Sequence, residues 1–161
     1  MKISALVLLF FSSLTLWARL GETESQIEER YGKGTVVKNP KETGLAKQYT
    51  ASGYAVRVVF IDGKSAYEAF KHTNDSPLTL DEINRLLDIN KSGSVWIEKD
   101  DSITTTIISW VRLDDMAKAW TFDKPPTLII AARIYAETQL STLRQTEQKQ
   151  KEEMQKRLQI F

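Results

Sequence analysis

The sequence predicts an α+β chain in which helices pack on antiparallel sheet, and three observations predict it. Two capping boxes, Thr23-Glu24-Ser25-Gln26 and Thr79-Leu80-Asp81-Glu82, each stand before a stretch with apolar residues at helical spacing. Behind each lie short runs rich in β-branched and aromatic residues. Asp62-Gly63 separates two such runs, and this dipeptide is a strong hairpin signal because a type I′ turn needs positive φ at both central positions. The expected architecture is therefore two helix-then-antiparallel-meander units, with helices on the sheet and a C-terminal helical tail.

In the first unit the Thr23 hydroxyl accepts from the backbone of Gln26, whose side chain reaches back. The helix runs to about Tyr31, stops at Gly32 and buries Ile27 and Tyr31 at i, i+4. A loop through Gly34, Pro40 and Gly44 follows. Residues 47–51, closed by Ser52-Gly53, are expected as an edge strand. Tyr54, Val56, Val58 and Phe60 alternate onto one face of a strand over 54–61, and residues 64–71 return as its partner. In the second unit Leu78 before the cap and Ile83 inside the helix make a hydrophobic staple. Leu80, Ile83, Leu86 and Leu87 form a stripe facing something flat and apolar. Strands are expected at 95–98, 103–112, 116–122 and 127–135, broken by Asp100-Asp101, Asp114-Asp115 and Asp123-Lys124-Pro125-Pro126.

These units fill a domain over residues 19–136, divided as 19–75 and 76–136. From Glu137 the chain changes character. Leu140, Leu143, Met154, Leu158, Ile160 and Phe161 stand among Gln, Lys and Glu, and Glu147–Lys151, Glu152–Lys156 and Glu153–Arg157 are i, i+4 pairs worth about 0.3–0.5 kcal/mol each. Residues 137–161 are thus a polar helix, with Met154, Leu158 and Phe161 available to dock in a partner's groove.

The chain has 161 residues, 22 Lys+Arg against 21 Asp+Glu, 42% hydrophobic residues and no cysteine. Disulfides and thiolate chemistry are excluded, and the balanced charge offers no basic field for phosphates, so nucleic acid is not an expected partner. Lys2, the apolar run 3–16 and Thr15-Leu16-Trp17-Ala18 read as a secretory signal peptide over residues 1–18, with cleavage expected after Ala18 and an uncleaved anchor as the alternative, since Leu16 is larger than the small residue usual three positions before the cut. The run is shorter than the roughly 20 residues a spanning helix needs, so no membrane span is expected after cleavage. Without a cysteine behind it, a bacterial lipid anchor is ruled out. The expected location is secreted or periplasmic.

The catalytic inventory is thin. His72 is the single histidine, which excludes a two-histidine metal site and an H-E-x-x-H helix. It stands in the polar connector His72-Thr73-Asn74-Asp75-Ser76-Pro77, where a role as general base would require a serine on a strained turn. There is no G-x-S-x-G and no glycine-rich phosphate cradle. Asp100/Asp101 and Asp114/Asp115 are adjacent in sequence and suit turns better than acid–base work. Asp88, Asn90 and Ser92 alternate as in a calcium-binding loop, with Gly93 at the sixth place and Val95 at the eighth. The twelfth place is Lys99, with Glu98 one early, and strand follows where an exiting helix is required. A helix end closed by Gly93 is the better reading, with no cofactor or metal. Exposed aromatics are the remaining handle: Trp96, Trp110 and Trp120 on three successive strands, with Tyr49, Tyr54 and Tyr67 in the first unit, either fill the space between sheet and helix or form a binding face that brings large contact area at little entropic cost.

The order capped helix, glycine stop, loop, strand, Phe60-Ile61-Asp62-Gly63-Lys64, strand resembles the outer-membrane-assembly lipoprotein group and the tandem beta-lactamase-inhibitor-like fold. Arg19 to Glu24, Arg-Leu-Gly-Glu-Thr-Glu, is also similar to the opening of secreted proteins of uncharacterised role. The resemblance covers residues 19–136 and departs from the lipoprotein pattern in lacking the lipid-bearing cysteine. It implies a non-enzymatic role in which an open sheet face or its loops grip another protein or envelope component, and it carries over no functional residue. The alternatives are an envelope hydrolase using carboxylates and His72, and a calcium-dependent module at 88–99.

Overall fold

The computed structural model describes residues 19–39, 42–99 and 107–158. Within them the elements run α1 (Glu24–Tyr31), β1 (Thr35–Val36), β2 (Leu45–Ala51), β3 (Tyr54–Ile61), β4 (Lys64–His72), α2 (Leu80–Ile89), β5 (Trp96–Lys99), β6 (Ser109–Arg112), β7 (Ala117–Asp123), β8 (Pro126–Ala132) and α3 (Arg133–Leu158). The strands form one eight-stranded antiparallel sheet in the order β1-β2-β3-β4-β8-β7-β6-β5. Each half is a run of consecutive strands, and the halves join where β4 pairs with β8 through Tyr67–Ala131 and Phe70–Leu128. Both predicted capping boxes form, on Thr23 and on Thr79. The β2–β3 and β3–β4 hairpins turn on Ser52-Gly53 and Asp62-Gly63, in which all four residues have φ between 51° and 85°. That left-handed pair is what lets two-residue loops follow the twist of the strands.

The sheet has two unlike faces. On the inner face Tyr49, Val56, Val58, Phe60, Phe70, Trp110, Ala119, Leu128 and Ile130 meet Ile27 of α1 and Ile83, Leu86 and Leu87 of α2 in one apolar core. Alternation along the strands sends Arg57, Tyr67, Ile129 and Trp120 to the outer face. There the first turns of α3 lie over β4 and β8, and the ring centroids of Tyr67 and Tyr135 stand 4.8 Å apart.

Several expectations are corrected. Residues 47–51 are not an edge, because Thr35 and Val36 add β1 outside β2. The strand expected to continue to Tyr135 ends at Ala132, and Tyr135 lies in α3, where its ring stacks on the sheet. Leu80, assigned to the buried stripe of α2, is 65% exposed, since the first helical residue points away from the sheet that Ile83, Leu86 and Leu87 cover. Within 103–112 the described strand is Ser109–Arg112. The cap of α2 is Asn90, with Gly93 three residues further on. The chain builds one mixed α and β fold that is mostly a single eight-stranded sheet, with α1 and α2 on one face and α3 on the other, rather than two clearly separate helix-and-meander units. The signal peptide over 1–18, the turn at Asp100-Asp101 and Phe161 lie outside the described residues. No described helix is long and apolar enough to cross a membrane.

Candidate functional site

Two places concentrate chemistry: the outer face beside α3, and the joint between β4 and α2.

The outer face is built from alternate strand residues and the root of α3. Glu42, in the loop before β2, accepts from the Arg57 guanidinium and, at 3.0 Å, from the Tyr135 hydroxyl. Arg57 in turn lies 5.7 Å from the centre of the Tyr67 ring. Burial raises the Tyr135 phenol above its ordinary range, and the adjacent Glu42 carboxylate adds to the rise. Thr43 shares a 2.7 Å hydroxyl contact with Thr142, and its carbonyl accepts from Gln139 at 3.1 Å. Polar contacts therefore clamp residues 133–142 to the sheet. Beyond them α3 carries only exposed positions through residue 156. Along its foot runs a trough of about 300 Å³ between Trp120, Ala117, Ala131, Ala136 and Tyr135, with Lys118 at its rim. Past the trough the outer face lies open at Ile97 and Phe122, 41% and 44% exposed.

The aromatic residues singled out in the sequence are split by the strand alternation. Trp110 is 6% exposed in the core and Trp96 packs against that core, donating from Nε1 to the Leu87 carbonyl at 2.7 Å. Tyr54 packs on the core edge with its hydroxyl on Glu82. Only Trp120 and Tyr67 reach the outer face. Of the tail residues, Met154 is 62% exposed. The side chain of Leu158 lies outside the described residues.

At the β4–α2 joint, His72 is the last residue of β4 rather than part of a connector. Its Nε2 is 2.9 Å from Glu82 Oε1, and its Nδ1 is 2.8 Å from Ser76 Oγ and 3.1 Å from the Ser76 carbonyl. The Tyr54 ring packs beside the imidazole, with centroids 4.9 Å apart, and its hydroxyl donates to the same Glu82 oxygen. The other oxygen, Oε2, accepts from the Thr79 backbone and hydroxyl at 2.7 and 2.8 Å. Burial would push the Glu82 carboxyl up, but the donors Tyr54, Thr79 and His72 outweigh it and hold its pKa down at about 2. Glu82 is therefore an ionised acceptor, so His72 must carry a proton on Nε2. Nδ1 faces the serine hydroxyl and the Ser76 carbonyl, and because a carbonyl only accepts, this nitrogen too is placed to donate. Asp75, immediately before Ser76, has φ 57°, an uncommon conformation for a residue with a side chain. Ser76 and Glu82 escaped the sequence reading because Glu82 was already accounted for by the capping box. The readable signal was the brevity of the connector, which forces the end of β4 against the first turn of α2.

The 88–92 segment is a helix end, and its carbonyls are satisfied from across the sheet. Trp96 caps Leu87, and Arg112 Nη1 donates to the Asn90 carbonyl at 3.1 Å. Asn90 is 1% exposed: its Oδ1 accepts from the Leu20 backbone at 2.8 Å and its amide donates to the Leu86 carbonyl. Asp88 is ion-paired with Lys91. The oxygen that alternation would offer a cation at position 90 is thus turned into the core. Among the described residues no group of three His, Asp or Glu is placed to hold a metal ion.

One more titratable group is buried outside both places. Glu68 of β4 is fully buried on the inner face between Val58 and Ile130, and among the described residues neither carboxyl oxygen has a hydrogen-bond partner. Burial pushes its pKa up to about 8, opposed by Ser65, with Glu22 raising it further and Arg30 lowering it.

Comparison of the chain with family models, with curated proteins and with solved structures finds no match.

Proposed function

We propose that the chain is an exported protein-binding module of the cell envelope or extracellular space, and that it holds its partner on the outer face of the sheet. The observation that supports this reading most directly is the unequal covering of the two faces. The inner face packs against α1 and α2, whereas among the described residues α3 lies mainly over β4 and β8 of the outer face, with Ile97 and Phe122 exposed and the trough open along its foot. Exposed apolar surface beside a concavity is where a partner gains most from excluding water. Export rests on Lys2, the apolar run 3–16 and the stretch to Ala18. The strand order, with each half of the sheet drawn from consecutive strands, supports reading the body as two helix-then-meander units over 19–75 and 76–136.

The test is capture from a native envelope fraction by immobilised chain, run in parallel with an Ile97→Glu/Phe122→Glu variant. Partners retained by the native chain and lost by the variant are the expected result. Identical capture by both would move the binding surface elsewhere, and empty capture by both would end the reading.

A further inference from the structure

We propose that the end of the sheet beside the Asp62-Gly63 turn binds a single-chain amphiphile with an anionic head, of the fatty-acid class. This goes beyond the protein-binding reading and does not rest on it, because the outer-face trough, Ile97 and Phe122 take no part. Two adjoining hollows supply the site. One, of about 650 Å³, has polar walls that include Arg19, Glu22, Lys64, Asp88 and Lys91. The other, of about 350 Å³, is mainly apolar, with Leu20, Ile61, Met116, Ala132 and Ile134 among its walls. They share Leu20, Gly21, Lys64 and Ser92, so a molecule with one charged and one apolar end can place one end in each. The walls are pre-formed, because residues 19–22 are bonded on both sides. Leu20 N–H donates to Asn90 Oδ1 at 2.8 Å, and Gly21 N–H donates to the Ser65 carbonyl at 2.8 Å. The Ser65 N–H donates to the Glu22 carbonyl at 2.8 Å and its hydroxyl to the Arg19 carbonyl at 3.0 Å. Both anchors are buried, Ser65 at 2% and Asn90 at 1% exposure. A site whose walls are already fixed spares its ligand the cost of ordering them.

The charges decide the sign of the head. Glu22 is held by Arg30 at 2.6 Å and Asp88 by Lys91 at 2.7 Å, whereas among the described residues Arg19 and Lys64 form no ion pair. Asp62, on the wall of the apolar hollow, has no ion pair there either, so the unpaired charge of the two hollows together is positive. A carboxylate offers two accepting oxygens, one for the guanidinium and one for the ammonium. The apolar hollow decides the other end. Met116 and Ile134 stand on its wall 51% and 47% exposed, and a hydrocarbon tail laid against them takes their surface and its own out of water. A small inorganic anion would use the cations and leave that surface wet. The volume of the hollow suits one tail rather than the edge of a bilayer, so the occupant is a free single-chain molecule.

The experiment titrates the full chain, carbon-13 labelled at the methyls of its three methionines, with decanoate, decyltrimethylammonium and acetate below their micellar concentrations. Met116 reports the apolar hollow, and Met154 on the far part of α3 reports unspecific adsorption. A saturable shift of Met116 with decanoate, with Met154 unmoved, is the expected result. Decyltrimethylammonium, with the same tail and the opposite head, should bind about 10-fold or more weakly, and acetate should give no saturable shift. Arg19→Gln/Lys64→Gln should weaken decanoate by about 10-fold or more, and Ile134→Asp should do the same from the apolar side. Melting temperature is followed for each variant. A Met116 signal that stays in place, or that moves only together with Met154 and without saturation, overturns the proposal. So does decyltrimethylammonium or acetate binding as tightly as decanoate, and so does an unchanged decanoate affinity in either variant. Where a variant lowers the melting temperature as well as the affinity, the preference of the native chain for decanoate over decyltrimethylammonium decides, and its absence overturns the proposal.

Discussion

The two faces of one sheet are held by different forces. On the inner face, interlocked apolar side chains from six strands and two helices exclude water, and the contact is non-directional. On the outer face, the root of α3 is placed by directed bonds: Glu42 to Arg57 and Tyr135, Thr43 to Gln139 and Thr142. The difference teaches that burial of apolar area accounts for the stability of this fold, whereas the polar clamp decides where the third helix lies. It also explains why the outer face stays partly open. A clamp needs only the first ten residues of α3, and the remainder is released from the sheet.

The largest expected effect breaks the inner face. Phe70 is fully buried at the centre of the core, so Phe70→Ala should cost about 3–5 kcal/mol of unfolding free energy in urea titration, through lost transfer energy and the cavity left behind. Trp120→Ala on the outer face should cost clearly less, and equal losses would erase the distinction between the faces.

The second effect sharpens the inner face by removing its fully buried carboxyl. Glu68 has a folded-state pKa of about 8, above the ordinary carboxyl value, so the folded state holds a proton that the unfolded state releases. Its contribution is neutral below the unfolded pKa near 4.5 and becomes unfavourable as pH rises to 8, by an amount on the order of a few kcal/mol. Native stability should therefore fall between pH 4.5 and 8, and Glu68→Gln should flatten that slope. A slope of equal size in the variant, measured by denaturant titration at pH 5 and pH 8.5, would mean the carboxyl is not the cause.

The smallest effect concerns the clamp. Glu42→Gln weakens charge-assisted bonds to Arg57 and to Tyr135, with an expected loss of about 1.5–3 kcal/mol. Amide exchange should accelerate over residues 133–142 while Val58 and Ile130 stay protected. Acceleration spread evenly over both faces would show that α3 belongs to the same cooperative unit as the core.

Much of the inner face was legible because local rules coincide with it. Capping boxes declare helix starts, the Asp62-Gly63 pair declares its hairpin, and the alternation at Tyr54, Val56, Val58 and Phe60 names the buried side of β3. Leu80 was misplaced because spacing alone does not say where the covered surface begins. The candidate site was less legible. The tryptophans of β5, β6 and β7 look equivalent in sequence, yet pairing Trp96 with Arg112, Trp110 with Ala119 and Trp120 with Ile129 puts the first two on one face and the third on the other. A one-residue change of register reverses such an assignment, and sequence spacing across loops does not report register.

By itself the sequence determined the class of this protein: a cysteine-free α+β chain, with the starts of α1 and α2 and three of its turns decided by contacts no more than four residues long. Only the tertiary structure decided that the strands close into one sheet with β4 against β8, that Asn90 is a core anchor, and that His72 meets both Ser76 and Glu82. The physical reason is range. Capping and turn geometry are satisfied within a few residues of chain, whereas a hydrogen bond from Asn90 to Leu20 or a shared face between β4 and β8 exists only once distant segments have packed.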